Sequence, residues 1–102
     1  MAIKVVHCKL EPYDIYIGRA NGDLPRSKWA NPFIVGKDCE RGKCIQMYED
    51  WIRTQPHLLA DLHELDGKTL GCWCKPNKNC HGDVLARLYQ EYSLFNYEWY
   101  RL

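Results

Sequence analysis

The sequence predicts a single α/β domain, a mostly parallel sheet of three to five strands flanked by about three helices. Three observations carry this expectation. Short apolar or alternating runs at residues 3–8, 13–18 and 68–73 read as strands. Apolar residues recur at helical spacing in three other stretches. The chain has 102 residues, enough for one compact core and hardly for two.

Residues 3–8 are apolar and β-branched, and Glu11-Pro12 marks a turn after them. Residues 13–18 alternate and end at Gly18. Arg19 follows, either as a solvated loop cation or as an anion clamp at a strand end, where open α/β sheets bind ligands. Residues 19–38 form a long connection, with turn signals at Asn21-Gly22-Asp23 and Leu24-Pro25. Its second half, from Ser27 to Gly36, is too apolar for a floppy loop and has neither helix nor strand period. Trp29 and Phe33 anchor this loop on the core, a reading favoured over base stacking. Ser27 and Asn31 either position a ligand or satisfy loop backbone.

Asp38 is the expected start signal of the first helix, and Ile45, Tyr48 and Ile52 are its core face. Arg41 at its start opposes the helix dipole, which makes sense beside an anion. Thr54-Gln55-Pro56 ends that helix and Pro56 opens a second, with a stripe of Leu58, Leu59, Leu62 and Leu65 that stops at Asp66-Gly67. The third helix carries Val84, Leu85, Leu88, Tyr89 and Tyr92 on one face. Residues 1–92 are therefore read as the domain. Residues 93–102 form an aromatic extension, packed on the domain or at a contact with a second copy of the chain.

Composition excludes several classes. Apolar residues make up 46% and charged residues 26%, with a net charge of +1, so no global charge argues for nucleic acid. No apolar run approaches a membrane span and no export signal opens the chain. Six cysteines in so short a chain suit a disulfide scaffold, but the apolar periodic segments can supply a core without one. The expectation is a cytoplasmic protein with mostly reduced thiols, in which Cys8, Cys39 and Cys44 are incidental.

The chemistry concentrates between Leu70 and Leu85, where Cys72, Cys74, Cys80 and His81 gather between a strand and a helix. Residues two apart in a strand share a face, so Cys72 and Cys74 point together and Trp73 points away. Pro76 and two asparagines turn the chain, and Cys80-His81 then open the next helix. A thiol at a helix start tends toward thiolate. One reading is a zinc site of Cys72, Cys74, Cys80 and His81, although the spacing is tighter than paired C-x2-C knuckles. The other is a metal-free site with Cys80 as nucleophile and His81 as acid or base. The bland alternative makes the two strand cysteines buried packing residues and His81 a local cap.

Several motifs agree in order with a known family. They are Tyr16-Ile17-Gly18-Arg19, then Ser27-Lys28-Trp29-x-Asn31-Pro32-Phe33, then Gly36-x-Asp38 with Arg41, then Cys72-Trp73-Cys74-x-Pro76 and Cys80-His81-Gly82-Asp83-Val84-Leu85. Over about residues 3–92 the chain closely resembles a small family of unknown function found in bacteriophages and bacteria. The resemblance implies roles for Arg19, Ser27, Trp29, Asn31, Arg41, Cys72, Cys74, Cys80, His81 and Asp83, but no established reaction. The extra residues around 21–25, Cys39 in place of a common glycine, and the aromatic tail depart from the family pattern. A weaker likeness links the strand–loop–helix device to a second family of small bacterial α/β proteins, with C-x-E on the strand and C-H-R opening the helix. In this chain Cys74 and Gly82 stand where that family has the Glu and the Arg, and the likeness implies a shared device that does not require zinc.

The expectation that results is a phage- or prophage-type protein, a small enzyme or ligand-binding domain for a nucleotide- or nucleobase-like compound. Cys80, His81 and Asp83 would be catalytic, and Arg19, Ser27, Trp29, Asn31 and Arg41 would bind the ligand. Zinc is the one candidate cofactor. An adaptor module with structural zinc and a nucleic-acid-binding module are the rivals.

Overall fold

The computed structural model describes residues 3–73 and 80–95, without the side chains of Arg41, Ser93, Leu94 and Phe95. Strand β1 is Lys4–His7, β2 is Ile15–Tyr16 and β3 is Thr69–Cys72. Helix α1 is Arg41–Ile52, α2 is Pro56–Ala60, and α3 is His81–Phe95. The three strands form one sheet in the order β1-β3-β2, and both pairings are parallel. The expected α/β class with a parallel sheet is thus observed.

β3 holds the centre because it is the most apolar of the three, with Leu70, Gly71 and Cys72 all buried. Its register sets Val5 and Ile15 beside Leu70, and Val6 and Tyr16 beside Gly71. The second strand is shorter than its alternation suggests. Asp14 N–H and Ile17 N–H still bond to the Thr69 and Gly71 carbonyls, at 2.8 and 3.0 Å, so the pairing extends one residue each way.

Residues 8–14 connect two strands that flank β3 in parallel, so the link must run back across it. That return is only three residues of strand, about 10 Å, so no helix is needed to make it. Tyr13 lies over Gly71 on the way: a Cβ there would sit 2.6 Å from the Tyr13 ring. On the opposite side α3 comes close to the sheet at Gly82, where a Cβ would meet Val5 Cγ1 at 2.7 Å and Ile17 Cδ1 at 2.9 Å. Alternation explains the geometry, because Val5, Leu70 and Ile15 share one face and Gly71 belongs to the other.

Leu70, Cys72, Val84, Leu85 and Leu88 join Ile17, Tyr48 and Ile52 in the core between sheet and helices. Trp29 is only 2% exposed and belongs to this core. Its carbonyl accepts the buried Tyr48 hydroxyl at 2.7 Å. Lys28 holds the same loop from outside through Asp61 and Glu64, at 2.9 and 3.0 Å. Burial pulls Lys28 down, but these two hydrogen bonds outweigh it and leave the amine above its ordinary range.

Three local expectations are corrected. α1 begins at Arg41, because Asp38 turns its carboxylate back to Ile34 N–H at 2.9 Å. The leucine stripe is not one α-helix: α2 stops at Ala60 and a 3-10 turn, Leu62–Leu65, carries the rest. Leu58, Leu62 and Leu65 are buried all the same, since spacings of three and four both keep one face. Gly67, with φ at 69°, then turns the chain into β3. Finally, Cys39 and Cys44 are not incidental thiols. Cys39 precedes the first turn of α1 and Cys44 lies within it, their Cα atoms are 5.4 Å apart, and a disulfide joins them. Cys8, Cys72 and Cys80 are not part of this disulfide.

Candidate functional site: a thiol and an imidazole at a helix start

The ends of β2 and β3 and the start of α3 meet at a cleft of about 500 Å³. Cys72, Cys80 and His81 line it together with Arg19 and Asn31. Ligand clefts at the carboxyl ends of parallel strands follow from the fold, since loops and helix starts converge there.

Cys80 occupies the N-cap position of α3. Its N–H donates to Asp83 Oδ2 at 3.0 Å, and its Sγ accepts from Gly82 N–H at 3.3 Å. This is a capping box with sulfur where a hydroxyl usually stands. The sulfur therefore faces a backbone donor and the positive end of the helix dipole, both of which favour thiolate. Burial acts in the opposite sense, because Cys80 is only 1% exposed.

His81 has a defined tautomer. Its Nε2 lies 2.7 Å from the Ile17 carbonyl, which can only accept, so Nε2 carries a proton. Nδ1 is left facing Cys80 Sγ at 3.6 Å. In the neutral ring Nδ1 accepts from S–H, and after proton transfer it donates to the thiolate. Tyr48 packs edge-on against this ring with centroids 5.0 Å apart. Burial, and then the negative charge of Cys80, push the Tyr48 phenol far above its ordinary range.

Among the described residues, Tyr16, Phe33 and Trp73 give the cleft aromatic walls and Arg19 gives it a cation. Trp73 is 37% exposed and donates from Nε1 to Tyr16 OH at 2.7 Å. Tyr16 OH in turn donates to the Arg19 carbonyl at 2.6 Å. Phe33 is part of the same lining. The exposed Arg19 guanidinium has no protein partner among the described residues.

The structure brings together Arg19, Asn31, Cys72, Cys80 and His81. Asn31 is also a loop brace, since Oδ1 accepts Phe33 N–H at 2.9 Å and Nδ2 donates to the Cys44 carbonyl at 3.3 Å. Trp29 and Ser27 do not line the cleft. Trp29 is core, as its anchoring role implied, and Ser27 Oγ accepts Trp29 N–H at 3.0 Å. Asp83 does not line the cleft, and its Oδ2 meets the site through the Cys80 N–H. The Arg41 side chain and Cys74 lie outside the described residues. No group of three or more metal-ligating side chains close enough to hold an ion occurs among the described residues.

Sequence reasoning missed Tyr16, Phe33 and Trp73 as walls, and Cys44 as a lining residue. The alternation over residues 13–18 marked a strand, but not that Tyr16 would meet Trp73. The Ile17 carbonyl that fixes His81 is backbone and left no trace in residue identity.

Fold and site define a small parallel α/β protein with a thiol–imidazole cleft at the strand ends. The chain belongs to the family described as domain of unknown function (DUF4326), matched over residues 3–91. It is 33% identical over 100 residues to uncharacterized protein R718 of Acanthamoeba polyphaga mimivirus, covering 87% of this chain and 76% of that protein. It is 36% identical over 90 residues to an uncharacterized 12.4 kDa protein in the nrdA-td intergenic region of Enterobacteria phage T4, covering 83% and 75%. No solved structure matches it. Relatives in a phage and a large virus agree with the resemblance drawn from the motifs.

Proposed function

We propose that this protein is a cysteine-dependent enzyme that binds a planar, anionic, nucleotide-like compound and attacks it with Cys80. One observation carries the reading: the Cys80 sulfur sits at a helix start, 3.6 Å from a histidine nitrogen whose tautomer is set by the Ile17 carbonyl. Nucleophilic cysteines need a positioned base and an oriented base needs a third group, and all three are present. Arg19 supplies the cation for a phosphate, and Tyr16, Phe33 and Trp73 supply faces for a ring. In the reaction the S–H proton passes to His81 Nδ1 and the sulfur pair forms an S–C bond with an electron-poor ring carbon. The displaced π electrons take up the proton from His81, so the addition balances without a co-reactant. Asp83 and Gly82 hold the sulfur where this can happen.

The test is protection of Cys80 from an alkylating reagent by a panel of nucleosides and nucleoside 5′-monophosphates. A monophosphate should protect, and Arg19→Ala should weaken it while leaving the parent nucleoside unaffected. Cys80→Ser should keep ligand binding and lose any covalent adduct detected by intact mass. If no member of the panel protects Cys80 and Arg19→Ala changes nothing, the reading fails.

A further inference from the structure

The cleft also holds a disulfide sulfur that the proposed reaction does not use. Cys44, half of the disulfide with Cys39, lines the same cleft as Cys80. Cys44 and Tyr48 are four apart on α1 and so share a helix face. The Tyr48 ring lies against His81. The disulfide-bearing face of α1 is therefore the one turned toward the start of α3.

The two halves of the disulfide differ in access. Cys44 is buried at 1% exposure, and the cleft leads to it. Cys39 is partly exposed and lies just outside the first turn of α1. A thiolate released at Cys39 would meet water and the positive end of the α1 dipole, so Cys39 is the better leaving group. Cys72 and Cys80 share the cleft with Cys44, and Cys80, at a helix start with His81 Nδ1 3.6 Å from its sulfur, is the better attacker.

We propose that Cys80 and the Cys39–Cys44 disulfide form an internal thiol–disulfide relay that masks and unmasks the nucleophile. Cys80 thiolate attacks Cys44 Sγ and the Cys80–Cys44 bond forms. The Cys39–Cys44 bond breaks, its electron pair stays on Cys39 Sγ, and Cys39 then takes a proton from water. No external oxidant or reductant is consumed. In one state Cys80 carries the thiol, and in the other it is bound to Cys44 and Cys39 carries the thiol. The reverse exchange, in which the Cys39 thiolate attacks Cys44 Sγ and the electron pair of the broken Cys80–Cys44 bond stays on Cys80 and takes up a proton, returns the active form. The relay requires no ligand, so it stands or falls separately from the reaction proposed above.

The experiment uses the wild-type chain without reductant, labelled with iodoacetamide and mapped by non-reducing digestion and mass spectrometry. The expected product carries a label on Cys39 together with a Cys44–Cys80 link, and Cys80→Ser should lose it completely. Equal Cys39 labelling in wild type and Cys80→Ser, or none in either, overturns the relay. Cys39→Ser gives an independent check, since mild diamide oxidation should join Cys44 to Cys80. Separate alkylation of those two thiols after oxidation, or a Cys72–Cys80 bond in their place, overturns it as well. Ligand protection of Cys80 without relay products would leave the enzyme reading intact and remove only the switch.

Discussion

Helices α1 and α3 each carry a glycine at the second helical position, Gly42 and Gly82, and the two make a matched pair for one prediction. A Cβ at Gly42 meets nothing within 4 Å, whereas one at Gly82 meets Val5 Cγ1 at 2.7 Å and Ile17 Cδ1 at 2.9 Å. Replacing either by alanine removes chain entropy from the unfolded state and gains up to about 1 kcal/mol of helix preference. At Gly82 that gain is opposed by overpacking, about 1–3 kcal/mol. Val5 is β-branched and cannot swing its methyl groups aside cheaply. The propensity terms cancel between the two variants, so their difference isolates the contact between α3 and the sheet. Gly42→Ala should raise the Tm slightly, and Gly82→Ala should fall below it by at least about 4 °C. Thermal unfolding by circular dichroism reads both. Equal stabilisation by the two substitutions would refute the close approach that sets Cys80 and His81 over the ends of β2 and β3.

Other consequences are as definite. Tyr48→Phe leaves the Trp29 carbonyl without its buried donor and should cost about 1–3 kcal/mol in denaturant unfolding. Asp83→Ala frees the Cys80 N–H and should cost about 0.5–2 kcal/mol, with slower alkylation of Cys80. The Tyr89 hydroxyl bonds Asp66 at 2.5 Å and holds its carboxyl below the usual range. A lowered folded value gives stability above the ordinary carboxylate range that is lost as pH falls through it. The stability gap between wild type and Tyr89→Phe should therefore narrow from neutral pH toward about pH 3. The thiol-enzyme account also expects a chelator to leave the Tm unchanged, and a large drop would favour structural zinc.

Much of the fold could be read from periodicity because burial here follows simple repeats. The apolar runs around Val6 and Leu70 became parallel strands, and the Val84–Leu88 stripe became the buried face of α3. Boundaries were harder where side chains bond locally: Asp38 capped its own loop, and the leucine stripe satisfied a 3-10 turn as well as an α-helix. The Cys80–His81 pair was visible because both ligand types are rare and adjacent. Its partners were not, because the Ile17 carbonyl and the Tyr16–Trp73 contact are made between distant segments. The Cys39–Cys44 bond escaped for a related reason, since it depends on where α1 begins rather than on spacing alone.

The rate of Cys80 alkylation against pH, in wild type and His81→Gln, tests the central claim most directly. A thiol held by the helix start and His81 should react well below pH ~8.5, where a free cysteine titrates, and His81→Gln should move that inflection upward. An inflection at or above the free-cysteine value, unmoved by His81→Gln, would contradict the account.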